Sequence, residues 1–176
     1  MMTAVPTGAP VSGDDLESWY RTYRVELVQL AAYAVGDVDR GQEVVQDVFA
    51  RLYRKPPTLR NADDQRRYLR SAVLNRCRSG VSRSMVGRRA TDRLRDERPP
   101  SVRSTEDAGV GAATRAEVLA AVRRLPRRQR DVVLLRYWLD LSEAEIAATL
   151  GVSAGTVKTS AHRAVAALVP LLEDLR

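Results

Sequence analysis

Apolar residues recur along this chain of 176 residues at steps of three and four, the repeat of one helix face. Leu16, Trp19, Tyr20, Tyr23, Leu27, Leu30 and Ala31 form the first such stripe and predict an amphipathic helix from Asp14 and Asp15 to about Val35. Gly36 and Asp37 interrupt it. Val44, Val45, Val48, Phe49 and Leu52 form the second stripe, a helix from about Asp39 to Arg54. Pro56 and Pro57 end that helix, because proline cannot continue one and restricts the residue before it. After a polar loop, Thr58 to Asp64, a third helix starts near Gln65 and runs to about Arg78 or a little beyond. Periodicity lapses over 89–113, where charges are mixed, two prolines fall together and large apolar residues are few. It resumes at Arg115, with breaks at Pro126, around Asp140 and at Gly151. Strand-like alternation of useful length and internal repeats are absent from the sequence. The pattern therefore predicts an all-α fold. Two small helical domains, 14–88 and 115–176, are joined by a flexible linker at 89–114 and preceded by a disordered tail at 1–13.

Composition agrees and narrows the class. Aromatics are only 5% of the chain, while Ala, Val and Leu supply most of the apolar mass, which favours helices over sheets. The lone Cys77 excludes an intramolecular disulfide framework and reads as a small core residue. No apolar run reaches the roughly 18 residues of a membrane span, and the N-terminus lacks a signal peptide's charged and apolar segments, so a cytoplasmic protein without membrane insertion is expected. The net charge is +7, and it is carried by 27 Arg against 2 Lys, a ratio that a GC-rich genome accounts for. Distribution says more than the total. Residues 14–47 hold eight acids and three Arg, whereas 65–89 hold eight Arg and no acid. A solvated face normally mixes signs, so the basic stretch suggests a polyanion lying against it.

Leu141 to Ala164, LSEAEIAATLGVSAGTVKTSAHRA, carries a motif with its own mechanics. Ser142 and Glu145 form a capping box at a helix start. Ile146, Ala147 and Leu150 are that helix's inner face, and Gly151 supplies the turn's positive φ. Val152 plugs the turn, and Ser153 caps a second helix with Val157 and Ala161 facing inward. This is a helix-turn-helix, whose second helix enters the major groove of DNA. Its outward residues are Gly155, Thr156, Lys158, Thr159, His162 and Arg163, with Ser153 at its start. Lys158 and Thr159 suit base edges, and Ser153, Thr156 and the free amides of the helix start suit phosphates. His162, the single histidine, lacks partners at ligand spacing, so neither a metal site nor a cofactor is expected.

The longer segment Leu125 to Ala164 resembles region 4 of extracytoplasmic-function RNA polymerase sigma factors. The carrying residues are Leu125, Pro126, Gln129 and Arg130, then Leu141, Ser142, Glu145, Ile146 and Ala147, then Gly155 to Lys158. A helix-turn-helix alone would not separate this family from LuxR-type regulators; the N-terminal half does. Gly41 to Phe49, GQEVVQDVF, resembles the family's region 2.2, and Tyr68 to Ser79, YLRSAVLNRCRS, resembles regions 2.3 and 2.4. With the Arg- and Ala-rich composition, the chain looks actinobacterial. The resemblance implies a core RNA polymerase partner (β′ clamp helices and β flap), promoter DNA, and an anti-sigma factor as a further candidate. It places Glu43, Gln46 and Asp47 at the β′ contact. It also implies opening of the minus-ten element and capture of an unstacked base, with Arg67, Tyr68, Ser71, Asn75 and Arg78 at that DNA. Helical spacing puts Arg67, Ser71, Asn75 and Arg78 along one face, where an Asn amide can read an extruded base. On spacing alone, Asn75 reads as a surface helix residue. The helix-turn-helix residues then fall to the minus-thirty-five element.

Three departures stand out. Tyr68 replaces the family's usual Trp, and Gly41 and Gln42 replace Ala-Glu. Ser160 and Ala161 stand where Arg and Leu or Ile are usual, which predicts one DNA contact fewer on the recognition helix. The alternative function is a helix-turn-helix regulator that does not join polymerase, but it leaves the acidic Asp37 to Asp47 segment unexplained. An enzyme is not expected, since one His, one Cys and two Lys offer little for a nucleophile–base pair.

Overall fold

The computed structural model describes residues 11–59, 61–87 and 110–173, with side chains at 11–59, 61–79 and 117–173. Helices joined by short loops make up these residues, without an extended strand among them. Three helices precede the gap at 88–109: α1 (Gly13–Val35), α2 (Val38–Arg54) and α3 (Ala62–Gly87). Four follow: α4 (Val110–Arg124), α5 (Arg127–Val133), α6 (Glu143–Leu150) and α7 (Ala154–Glu173). A single π turn, Leu134–Trp138, prolongs α5. The expected tail at 1–10 and most of the expected linker lie outside the described residues. At both edges the sequence expectation is corrected. Val11 is buried and donates its amide to Pro57 O at 3.1 Å, and Ser12 is the N-cap of α1. Residues 110–114, assigned to the linker, already belong to α4.

Local chemistry explains the helix ends. Ser12 and Asp15 form a capping box on α1, and Gly36, at φ +88, closes it in the left-handed conformation that favours glycine. Asp37 caps α2 by accepting from the Arg40 amide at 2.8 Å. Asn61 does the same before α3, accepting from the Asp64 amide. The break expected near Asp140 is a left-handed residue, φ +50.

Helices α1, α2 and α3 form the N-terminal bundle around Leu16, Trp19, Leu27, Leu30, Val45, Phe49, Leu69 and Val73. Gly41 lets α2 approach α1 closely: a Cβ there would stand 2.8 Å from Ala32 N and 3.0 Å from Val28 O. Helices α4 to α7 pack around Leu125, Val132, Leu135, Ile146, Val157 and Ala164. The two groups are not separate bodies in this arrangement. Their apolar residues form one continuous cluster, with the Tyr33 and Trp138 rings 4.0 Å apart between centroids. Helix α6 lies against α3, and the end of α4 lies against α1.

Candidate nucleic-acid and polymerase interfaces

The helix-turn-helix has the geometry its sequence predicts. Ser142 Oγ accepts from the Glu145 amide at 3.3 Å, while Glu145 Oε2 accepts from the Ser142 amide at 2.9 Å. That hydroxyl also holds the Glu145 carboxyl below its ordinary range. Gly151 turns the chain at φ +65, and Ser153 Oγ accepts from the Thr156 amide to start α7. Ile146 and Val157 are fully buried and pin the two helices together. Thr149, omitted from the predicted inner face, is buried as well and back-bonds to Glu145 O at 2.7 Å. Lys158, Thr159, His162 and Arg163 are exposed with Ser153, and Thr156 is half-buried. They share one side of α7. Ser160, by contrast, is buried. The expectation that an Arg-to-Ser departure at that position removes a DNA contact is therefore corrected: position 160 looks into the bundle.

The second predicted DNA face lies on α3. Arg67 and Asn75 are exposed, Ser71 and Arg78 half-buried, and Tyr68 is at the edge of exposure at 36%. Tyr68, Arg67 and Ser71 line a cleft of about 380 Å³ together with Thr58, Leu59, Asp64 and Ala148. The sequence reading missed Thr58, Leu59, Asp64 and Ala148. The first two were reachable: the Pro56-Pro57 stop leaves a short loop that must return to the start of α3.

For five of the eight Arg in the basic stretch, Arg66, Arg67, Arg70, Arg76 and Arg78, the fold supplies acids; the side chains of Arg83, Arg88 and Arg89 lie outside those described. Residues 65–89 contain no acid, but Asp64 just before them and tertiary partners supply acids. Glu26 of α1 accepts from Arg66 at 2.5 Å and from Arg70 at 2.7 Å. Those two cations hold the Glu26 carboxyl below its ordinary range, although burial, the largest single influence, pushes it up. Arg67 pairs with Asp64 and Arg76 with Asp47. Arg78 reaches α5, its Nε and Nη2 donating to Asp131 Oδ2 at 3.0 and 2.6 Å. Its Nη1 donates to Asn75 Oδ1 at 2.8 Å. Each of these five Arg thus has an acid within the chain.

The third face is on α2. Glu43 and Gln46 are exposed, on turns adjacent along the helix, and Asp47 is half-buried because it also holds Arg76 and lies 3.8 Å from Arg51. The three residues expected at the polymerase contact are therefore together, with Asp47 also engaged by Arg76 of α3 and near Arg51 of α2. Cys77, expected in the core, is there: buried, with its thiol pushed up to about 12 by that burial.

Comparison with known proteins places this geometry. Residues 115–168 match the family model described as sigma-70, region 4. In overall fold the chain is similar to CnrH, solved with the cytosolic domain of CnrY (TM-score 0.64, 22% identity, 93% of this chain and 90% of that one). It is also similar to the Bartonella quintana sigma factor RpoE, solved with the anti-sigma factor NepR (TM-score 0.67, 20% identity, 93% and 99%). The ECF RNA polymerase sigma factor SigL of Mycobacterium tuberculosis is 28% identical, over 99% of this chain and 98% of its own length. The RNA polymerase sigma-E factor of Streptomyces coelicolor is 33% identical over 88% of this chain and 84% of its own length. An all-helical fold, a capped helix-turn-helix and relatives aligned along nearly the whole chain agree: it belongs to the RNA polymerase sigma factors of the extracytoplasmic-function type.

Proposed function

We propose that this sigma factor initiates transcription through the three faces described above. Glu43, Gln46 and Asp47 dock on core RNA polymerase. Ser153, Thr156, Lys158, Thr159, His162 and Arg163 meet duplex DNA at the minus-thirty-five element. Arg67, Tyr68, Ser71, Asn75 and Arg78 hold the opened minus-ten strand. The observation that carries the reading is the cleft beside Tyr68. It joins an aromatic edge to cationic and hydroxyl side chains, the chemistry that stacks and hydrogen-bonds an unstacked base. In this scheme the chain is a binding subunit and not an enzyme, with a division of labour between its helices: α1 to α3 for polymerase and minus-ten DNA, α4 to α7 for the minus-thirty-five element.

Its family and relatives also support a cytoplasmic site of action and an anti-sigma factor among its partners. No helix among the described residues is long and apolar enough to cross a membrane. Run-off transcription with purified core enzyme on fragmented genomic DNA tests the proposal. Discrete, chain-dependent transcripts are expected. Retention on promoter DNA without transcripts, and without association to core, would instead support the free helix-turn-helix regulator.

A further inference from the structure

Glu26 of α1 belongs to none of the three faces, yet it holds the helix that carries one of them. Its carboxylate is divided between two arginines of α3. Oε2 accepts from Arg66 Nε at 3.1 Å and from Arg66 Nη2 at 2.5 Å, and Oε1 accepts from Arg70 Nε at 2.7 Å. Arg66 and Arg70 stand one turn apart on the same side of α3. Arg67 and Ser71, the residues that follow them, lie about 100° further round the helix. Those two line the cleft with Tyr68. Where Glu26 holds α3 therefore decides where the cleft points.

Apolar packing does not fix that direction as closely. Leu69 and Val73 of α3 are fully buried, but apolar burial is non-directional and tolerates a small roll of the helix. Charge-assisted hydrogen bonds from two turns to one carboxylate do not. Arg70 is 7% exposed, so its charge is answered by the protein rather than by water. Asp63 of α3 lies in the field of Arg66, and Glu145 of α6 in the field of both cations. Among the described residues, Glu26 is the acid that hydrogen-bonds both.

The same pairing withdraws charge from the DNA side. Arg66 is exposed next to Arg67. A free guanidinium there would be a ready phosphate contact, and phosphate contacts carry no sequence information. With Arg66 bound to Glu26, the strand is left to Tyr68, Ser71 and Asn75, whose polar groups can distinguish bases.

We propose that Glu26 is a positioning residue for minus-ten recognition: by holding Arg66 and Arg70 it sets the roll of α3, so that the Tyr68 cleft and Asn75 face the opened strand, and it keeps both cations from gripping that strand without regard to sequence. The inference rests on the assignment of Tyr68, Ser71 and Asn75 to minus-ten DNA.

The experiment uses the chain assembled with core polymerase and two fluorescent single-stranded oligonucleotides. One carries the minus-ten sequence of a promoter found by run-off transcription, the other the same bases in scrambled order. The ratio of their dissociation constants measures selectivity. Glu26→Gln keeps the side chain's size and removes its charge. It should reduce the ratio by about threefold or more. It should also steepen the salt dependence of scrambled-strand binding, by about 0.7 for each freed cation that reaches a phosphate. Arg66→Gln removes one of the two anchors without freeing a cation at that position. It should reduce the ratio with no steeper salt dependence. Far-UV circular dichroism checks the fold of each variant, and Arg66→Gln, at an exposed position, keeps the test valid if Glu26→Gln misfolds. A merely structural role would not move the ratio, because a smaller competent fraction weakens binding of both strands alike.

An unchanged ratio in both folded variants, while Asn75→Ala reduces it, overturns the role of Glu26 and leaves the minus-ten assignment standing. A parent that binds both strands equally, or whose ratio Asn75→Ala leaves unchanged, overturns the minus-ten assignment and the role of Glu26 with it.

Discussion

Replacing Gly41 by alanine should destabilise this protein, although alanine is the better helix former and α2 is a helix at that point. The two effects have opposite signs and known sizes. Exchanging glycine for alanine in a helix interior gains about 1 kcal/mol of propensity. Overpacking a tight contact costs about 1–3 kcal/mol. The contact decides where in that range the cost falls. A Cβ at Gly41 meets Ala32 N at 2.8 Å, Val28 O at 3.0 Å and Ala32 Cα at 3.1 Å. All three are backbone atoms of α1, so no side chain can swing aside, and the helices must move apart. A net loss of about 1–2 kcal/mol follows, or a fall in Tm of about 2–8 °C for a chain of this length. Gly155, the second residue of α7, is the control: a Cβ there has only Ser153 Oγ, at 3.9 Å, within reach. Gly155→Ala should raise Tm by a few degrees at most, through up to about 1 kcal/mol of propensity. Thermal unfolding of the two variants beside the parent settles it. A Tm for Gly41→Ala equal to or above the parent's would refute the close-approach reasoning.

Ser142→Ala should cost about 1 kcal/mol at neutral pH by removing the capping box. Because the folded pKa of Glu145 is lowered, chiefly by Ser142, the carboxylate's contribution is present above its ordinary value near 4.5 and is lost as pH falls through the folded value. The gap between parent and variant in urea melts should therefore narrow below about pH 4.5. Glu43→Ala combined with Gln46→Ala should weaken association with core polymerase in a pull-down while changing stability by no more than about 0.5 kcal/mol, as both side chains are exposed. Asp47→Ala should weaken both association and stability, since it also strips Arg76 of its acid.

Local signals were legible in the sequence wherever one short segment carries its own physics. The apolar stripes of α1 and α2, the Ser142–Glu145 box and the positive φ of Gly151 each depend on residues a few positions apart. So does the outward set on α7, apart from position 160: Ser160 belongs to the inner face of α7, as Thr149 does to that of α6. What sequence periodicity misses is partnership at long range. Arg66, Arg70, Arg76 and Arg78 looked unbalanced because Glu26, Asp47 and Asp131 lie 29 to 53 residues away along the chain. Tyr33 and Trp138 each sit on a stripe already explained by its own bundle, so nothing local shows that they meet across the seam. The stretch 110–114 reads as linker because its residues are small, yet Gly111 is carried within α4 by the helix that follows it.

Permanganate footprinting of unpaired thymines, on a promoter carrying both elements and with core polymerase present, tests the central claim most directly. That claim is that one chain reads duplex DNA with α7 and holds an opened strand with α3. The parent should expose thymines at the minus-ten element. Asn75→Ala should retain initial duplex binding but lose much of that exposure. Lys158→Ala should open the strand normally once bound, yet lose discrimination at one minus-thirty-five base by about 1–3 kcal/mol. If Asn75→Ala opens the promoter as the parent does and Lys158→Ala leaves promoter choice unchanged, the division of labour between the two helices is wrong.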